Sequence, residues 1–233
     1  VAVPEDGIVE TIPMSMSYEE AAPVTDGALT VHNFLTRLVT IQPGQKVLIN
    51  GAAGGLGTSA VQLAKRLGAE VTAVASGRNA GFLRDLGADH VIDYKKAGGF
   101  EGLVKALKEA SPKGIDVYFD NVGGDHLTAA IEVARPMARM ALCGMIAQYN
   151  ETGTPVGPHN IIMAVGKQLK LQGFIVSTHA DMQPAFFADM AKWIPAGKMK
   201  FEQTVMEGID KAPEAFMGLF TGANTGKMLV KLT

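Results

Sequence analysis

Residues Lys46–Asn79 read KVLINGAAGGLGTSAVQLAKRLGAEVTAVASGRN, and this stretch decides the fold. A short apolar run, KVLIN, leads into Gly51, Gly54, Gly55 and Gly57. Ala60, Val61, Ala64 and Leu67 then recur at helical spacing, Gly68 stops the pattern, and a second apolar run, EVTAVA, follows. A strand, a glycine turn, a helix and a strand in that order suit the pyrophosphate of a dinucleotide. Its phosphates need close backbone approach, a tight turn and the free N–H groups of a helix N-terminus, and glycine permits all three. Taken alone the glycines also fit a plain structural turn; the flanking elements favour phosphate binding, with Gly54, Gly55 and Gly57 as the contacts.

The end of the second strand is where a carboxylate would accept hydrogen bonds from a ribose and repel a 2′-phosphate. Here the sequence is Ser76-Gly77-Arg78-Asn79, with no acid. Arg78 can pair with an extra phosphate while Ser76 and Asn79 donate hydrogen bonds, which points to NADPH. The alternative for Arg78 is a solvated residue in a helix's first turn.

Outward from this unit, between Pro43 and Val176, apolar runs alternate with helical patterns, as repeated strand-helix-strand units of a parallel sheet require. The further strands expected are His90–Asp93, Ile115–Asp120, Ala138–Gly144 and Leu169–Val176. Helices are expected at Gly57–Leu67, Arg78–Leu86, Glu101–Glu109, Asp125–Ala134 and His159–Lys167. The fold class is therefore α/β, a doubly wound parallel sheet of Rossmann type. Asn121 and Val122 follow the carboxyl edge of a strand, where ligands of open parallel sheets bind.

The flanks lack this alternation. Ser17 and Glu20 form a capping-box pattern, and Pro23 is expected to interrupt that helix before a second one carrying Val31, Phe34, Leu35 and Leu38. Beyond Val176, a helix around Phe186–Ile194, a strand at Gln203–Glu207, a helix at Ala212–Thr221 and a final strand in KMLVKL are expected. That last strand is expected to return to an upstream domain. The opening VAVPEDGIVETIP has no initiator Met and begins with strand character, suggesting a truncated or processed form.

Composition narrows the classes of function. The chain has 233 residues, 47% of them hydrophobic, and a net charge of −2, enough for one substantial core. No basic run is present to track a phosphate backbone or an anionic membrane, so nucleic-acid and membrane partners are disfavoured. The single cysteine, Cys143, excludes an intrachain disulfide and fits a reducing, cytoplasmic setting. His32, His90, His126, His159 and His179 have no metal-ligand spacing, and no metal is expected. Trp193 with Phe186, Phe187 and Met190 reads as a packing stripe, and Lys227 as a strand-edge lysine that could approach a phosphate.

The strings AAGGLGTSAVQLAKRLGA, LGADHVIDYK, DVYFDNVGG, ALCGMIAQYN, LQGFIVS and NTGKMLVKL together resemble the zinc-independent medium-chain dehydrogenases/reductases, in particular the prostaglandin reductase (leukotriene B4 dehydrogenase-like) branch. The resemblance covers nearly the whole chain and rests chiefly on FDNVGG, CGMIAQYN and QGFIV. It implies a pyrophosphate loop at Gly54, Gly55, Leu56 and Gly57 and a 2′-phosphate region at Ser76, Arg78 and Asn79, with Asn79 where the family usually has a base. Tyr94 would be an adenosine-side tyrosine, or else a strand-end aromatic with its hydroxyl in water. Asn121 would touch the cofactor, as would Cys143, Gly144, Met145 and Ile146 at the nicotinamide ribose, Cys143 also reading as a small buried hydrophobe. Tyr149 would be the catalytic residue, holding the ribose and donating to a developing enolate oxygen, against a packing role. Phe174, Ile175 and Val176 would meet the carboxamide, and Asn224 would be a late cofactor contact.

The resemblance also implies an organisation and an activity. Residues 1–30 would end a GroES-like substrate domain largely missing from the chain, 31–177 would be the dinucleotide-binding domain, and 178–233 would pack back toward the substrate domain. The implied reaction is NADPH-dependent, zinc-independent reduction of the C=C bond of an α,β-unsaturated ketone or aldehyde. Quinone reduction, or nucleotide binding without turnover, are the alternatives. A homodimer through the sheet edge near Leu169–Val176 is the expected assembly.

Overall fold

The computed structural model describes residues 11–14 and 16–232; the strand character read in the opening residues lies outside them. The six-stranded parallel sheet comprises β1 (Lys46–Asn50), β2 (Glu70–Ala75), β3 (His90–Asp93), β4 (Ile115–Asp120), β5 (Ala134–Leu142) and β6 (Lys170–Gly173), in the order β3-β2-β1-β4-β5-β6. This is the doubly wound order, with β1 and β4 as neighbours where the winding reverses. Val47 pairs with Val71 on one side and Val117 on the other, so the central strands are in register.

Strand alternation divides the core into two layers. Val47, Ile49, Val71, Ala73, Val117 and Phe119 face one side, against Phe34, Leu35 and the buried stripe Ala60, Val61 and Ala64 of α3 (Gly55–Arg66). Leu48, Val74, Tyr118 and Met140 face the other, against Leu103 and Leu107 of α6 (Phe100–Ala110) and Ile131 of α7 (Gly124–Val133). Short helices α4 (Ala80–Asp85), α5 (Tyr94–Ala97) and α8 (Met163–Lys167) complete the crossovers.

The N-terminal helix begins as expected: Ser17 Oγ accepts from the Glu20 N–H at 3.2 Å, and Glu20 Oε2 accepts from the Ser17 N–H at 2.8 Å. Pro23, however, does not interrupt it. The chain runs from α1 (Tyr18–Pro23) through a π-helical turn at Val24–Ala28 into α2 (Leu29–Asn33) and a second π-helical turn at Phe34–Leu38. The helical path continues past the proline, and burial of Leu29, Phe34 and Leu35 holds the segment on the sheet.

Further boundaries differ: the strand expected at Ala138–Gly144 runs over Ala134–Leu142, so Ala134 begins a strand instead of ending a helix. The run 169–176 is a strand only over Lys170–Gly173, because Phe174 turns inward between Phe34, at 4.3 Å centroid separation, and His179, stacked at 4.5 Å. The helix expected from His159 starts at Met163, since Asn160 donates to the Thr128 carbonyl at 3.0 Å and holds a turn there. Past α9 (Gln183–Trp193), β7 (Gln203–Glu207) and β8 (Lys227–Lys231) pair in parallel around α10 (Ala212–Thr221) as a separate two-stranded sheet. The Gly226 N–H donates to the Ala53 carbonyl at 2.8 Å, so this C-terminal unit sits on the glycine turn.

Candidate functional site

The glycine turn lies at the carboxyl end of β1, at the reversal of strand order. Gly51 adopts φ +61°, and its carbonyl accepts from the Gly54 N–H at 3.0 Å, closing the turn into α3. Gly57 lets the helix rest directly on that turn: a Cβ there would collide with the Gly51 carbonyl oxygen and come 2.5 Å from Ala52 Cα. A Cβ on Gly55 would lie 3.2 Å from Lys227 Cα, so the C-terminal unit presses against the helix N-terminus.

A cleft of about 730 Å³ opens over this turn, a size suited to a substantial small molecule. Among its lining residues are two lysines, Lys95 and Lys227, and no carboxylate. Gly54, Gly55, Leu56, Ser76, Asn79, Tyr94, Asn121, Ile146 and Asn224, all expected from the sequence, line it together. Ala212, Phe216, Leu219 and Phe220 of α10 add an apolar wall that the sequence reading missed. So was Lys95, next to Tyr94, which the residue order alone could have flagged.

At the β2–β3 end of the cleft, hydrogen bonds tie the polar residues to the C-terminal unit. Asn79 Nδ2 donates to Ser76 Oγ at 3.2 Å, and Asn79 Oδ1 accepts from Thr225 Oγ1 at 3.0 Å. Arg78 does not line the cleft; its guanidinium donates to the Gly222 carbonyl. Tyr94 meets His126 edge-on at 5.5 Å, and burial holds the His126 imidazole below its usual pKa. Asn224 Nδ2 donates to the Gly226 carbonyl at 2.7 Å and fixes the bend above the glycine turn.

At the β4–β5 end, Asp120 organises two loops. It is 0% exposed, its Oδ1 accepts from the Val122 and Gly123 N–H groups at 2.9 Å each, and its carbonyl accepts from the Cys143 N–H at 2.8 Å and the Gly144 N–H at 3.2 Å. Burial raises its carboxyl pKa despite those two donors. The Ala147 N–H donates to the Val122 carbonyl at 3.0 Å, which joins the loops a second time.

Tyr149 stands just outside the cleft lining, 62% exposed, with its hydroxyl accepting from the Met145 N–H at 3.3 Å. A Cβ on Gly144 would come 2.7 Å from Asn121 Oδ1 and 3.1 Å from Tyr149 Oη, so those three residues sit together. Cys143 and Met145 do not line the cleft, and burial pushes the Cys143 thiol up to about 12, which favours the protonated thiol. Phe174 is buried in the core and Ile175 points to solvent; neither they nor Val176 line the cleft.

Among the described residues, no three His, Cys, Asp or Glu side chains come together as metal donors. Nor, among them, is any helix long and apolar enough to cross a membrane.

The comparisons with known proteins follow the same lines. A family model described as zinc-binding dehydrogenase matches residues 55–192. Prostaglandin reductase 1 of Rattus norvegicus is 37% identical over 206 residues, covering 87% of this chain and 61% of its own. The crystal structure of CurA from Vibrio vulnificus in complex with NADPH superposes with a TM-score of 0.81 at 34% identity, over 89% of this chain and 62% of that one. Quinone oxidoreductase of Escherichia coli complexed with NADPH gives a TM-score of 0.81 at 25% identity, over 95% of this chain and 68% of that one. The chain thus spans about three fifths of the length of the curated relative.

Proposed function

The chain belongs to the zinc-binding dehydrogenase family of medium-chain dehydrogenases/reductases, on its prostaglandin reductase-like and quinone oxidoreductase-like side, and from that premise we propose that it is an NADPH-dependent reductase of α,β-unsaturated ketones and aldehydes. The observation that carries this reading is the cleft itself. It lies at the strand-order reversal, opens on a helix N-terminus with no side chain in the way at Gly54 and Gly55, and is lined by two lysines with no acid. Such a surface favours an elongated polyanion.

In this reading Gly54, Gly55 and Leu56 hold the pyrophosphate with Lys227 beside them, Ser76 and Tyr94 hold the adenosine half, and Asn121, Ile146 and Asn224 hold the nicotinamide half. Gly57 acts from behind by seating α3 on the turn. When bound, NADPH supplies the hydride that adds to the β-carbon of the enone. The C=C electron pair passes to the carbonyl oxygen, where the Tyr149 hydroxyl donates a hydrogen bond, and solvent returns a proton to the α-carbon. Asp120 keeps the Val122–Gly123 and Cys143–Gly144 backbones in register so that Asn121 and Tyr149 face one reaction volume. No metal takes part in this scheme.

The domain division proposed is 1–30, 31–177 and 178–233, with the substrate wall completed by a GroES-like domain. We place the protein in the cytoplasm as a homodimer paired along β6, which is an edge strand of the six-stranded sheet. Calorimetry with NADPH and NADH, followed by enone turnover with analysis for the saturated product, tests the function. Tight NADPH binding with a saturated product supports it. Oxidation of NADPH by quinones but by no enone favours quinone reduction, the reading suggested by the likeness to the Escherichia coli enzyme; binding without any turnover leaves a nucleotide-binding module.

A further inference from the structure

We infer that Lys95, in the first turn of α5, is the residue that makes this cleft prefer a nucleotide carrying a 2′-phosphate, a role the sequence assigns to Arg78. The inference rests on the dinucleotide reading above. Strand register puts Ala75 opposite Asp93, so Ser76 and Tyr94 leave neighbouring strands side by side, about 4.8 Å apart. Lys95 is the next residue, and it lines the cleft together with Ser76, Asn79 and Tyr94.

Arg78 and Asn79, the other nitrogen-bearing side chains expected here, are occupied. The Arg78 guanidinium donates to the Gly222 carbonyl, and Asn79 uses its amide oxygen on Thr225 and its amide nitrogen on Ser76. These bonds strap the C-terminal unit to the turn after β2. Asp93, two residues before Lys95, does not line the cleft: its Oδ1 accepts from the Lys95 N–H at 3.1 Å, and its other oxygen lies against the open face of Gly77. Among the described residues, Lys95 Nζ has no ion-pair or hydrogen-bond partner, whereas Lys227 faces Asp26 at 3.7 Å and packs beside Gly55. The two lysines of the cleft thus divide the work. Lys227 is placed at the helix N-terminus, where the pyrophosphate common to both nicotinamide cofactors would lie, and Lys95 is placed beyond the strand end, where only the 2′-phosphate would reach. A lysine suits that position, since a point charge on a flexible stem follows an exposed dianion without demanding a fixed fork geometry.

The test measures dissociation constants of NADPH, NADH, 2′,5′-ADP and 5′-AMP by calorimetry on the wild-type chain and on Lys95→Ala, Lys227→Ala and Arg78→Ala. For Lys95→Ala the expected result is a loss of roughly tenfold for NADPH and 2′,5′-ADP, with NADH and 5′-AMP unchanged. The difference between NADPH and NADH should also lose most of its dependence on salt. Lys227→Ala should weaken NADPH and NADH by the same factor. Lys95 is exposed, so its removal leaves the core intact. The inference is overturned if Lys95→Ala leaves NADPH affinity within twofold of wild type, if it weakens NADH equally, or if Arg78→Ala alone produces the selective loss. Failure of the wild-type chain to bind either dinucleotide would instead refute the dinucleotide reading, and this inference with it.

Discussion

Replacing Gly57 by alanine should damage cofactor binding far more than a methyl group added at Gly54 or Gly55. The Cβ would overlap the Gly51 carbonyl oxygen and stand 2.5 Å from Ala52 Cα and 2.6 Å from Ala52 C, all backbone atoms that no rotamer change can move aside. Ordinary contact requires more than 3.4 Å, so helix and turn must separate by about 1 Å, at an overpacking cost of ~1–3 kcal/mol. That displacement lands on the Gly54–Leu56 backbone, whose N–H groups would meet the pyrophosphate. Affinity for NADPH should therefore fall by about a hundredfold, since a misplacement of this size removes the equivalent of one or two charge-assisted hydrogen bonds at ~1.5–3 kcal/mol each. Gly55→Ala is the graded control, because its Cβ meets Lys227 at 3.2 Å and the C-terminal unit can shift. Gly153→Ala is the neutral control, with nothing within 4 Å. Calorimetry for NADPH and urea unfolding on the three variants would order them Gly153→Ala, Gly55→Ala, Gly57→Ala. A Gly57→Ala protein that binds NADPH within threefold of wild type and unfolds at the same urea concentration would refute the reasoning.

Asp120→Ala should lose ~2–4 kcal/mol in urea unfolding, since a buried N–H group at Gly123 and a partly buried one at Val122 lose their acceptor; Asp120→Asn, which keeps an acceptor, should lose clearly less. The Lys46 ammonium at 2.6 Å, with His90 at 3.2 Å, holds the Glu70 carboxyl below its usual 4.5. Its contribution to stability is present above pH 4.5 and lost as pH falls through the lowered value. Melting temperatures from pH 5 to 3 should therefore fall less steeply for Glu70→Gln than for wild type, and parallel curves would contradict the pairing. Cys143, with its thiol pushed up to about 12 by burial, should resist iodoacetamide at pH 8 in the folded protein and react readily in urea; equal rates would mean that the thiol is open to solvent.

Local pattern was enough to read the parallel sheet and its glycine turn. Strands such as Lys46–Asn50 and Glu70–Ala75 are short, apolar and bounded by turn residues, and Gly57 is needed for a contact only six residues away. Legibility ended where distant segments meet. That Arg78 would bind Gly222 and Asn79 would bind Thr225, 144 and 146 residues away, leaves no mark on the sequence around either residue. Lys227 looked like a strand-edge lysine because its neighbours in sequence are β8; only the seating of Gly226 on Ala53 carries it to the cleft. Pro23 misled for a related reason. A local rule about a missing N–H was outweighed by the burial of Leu29, Phe34 and Leu35, which kept the helical path continuous.

The central claim is that this cleft is built for NADPH, and a side-by-side calorimetric titration of the wild-type chain with NADPH and NADH at one salt concentration tests it most directly. The account predicts one site per chain and NADPH bound at least about tenfold more tightly. Equal affinity, tighter NADH binding or no binding of either nucleotide would contradict it.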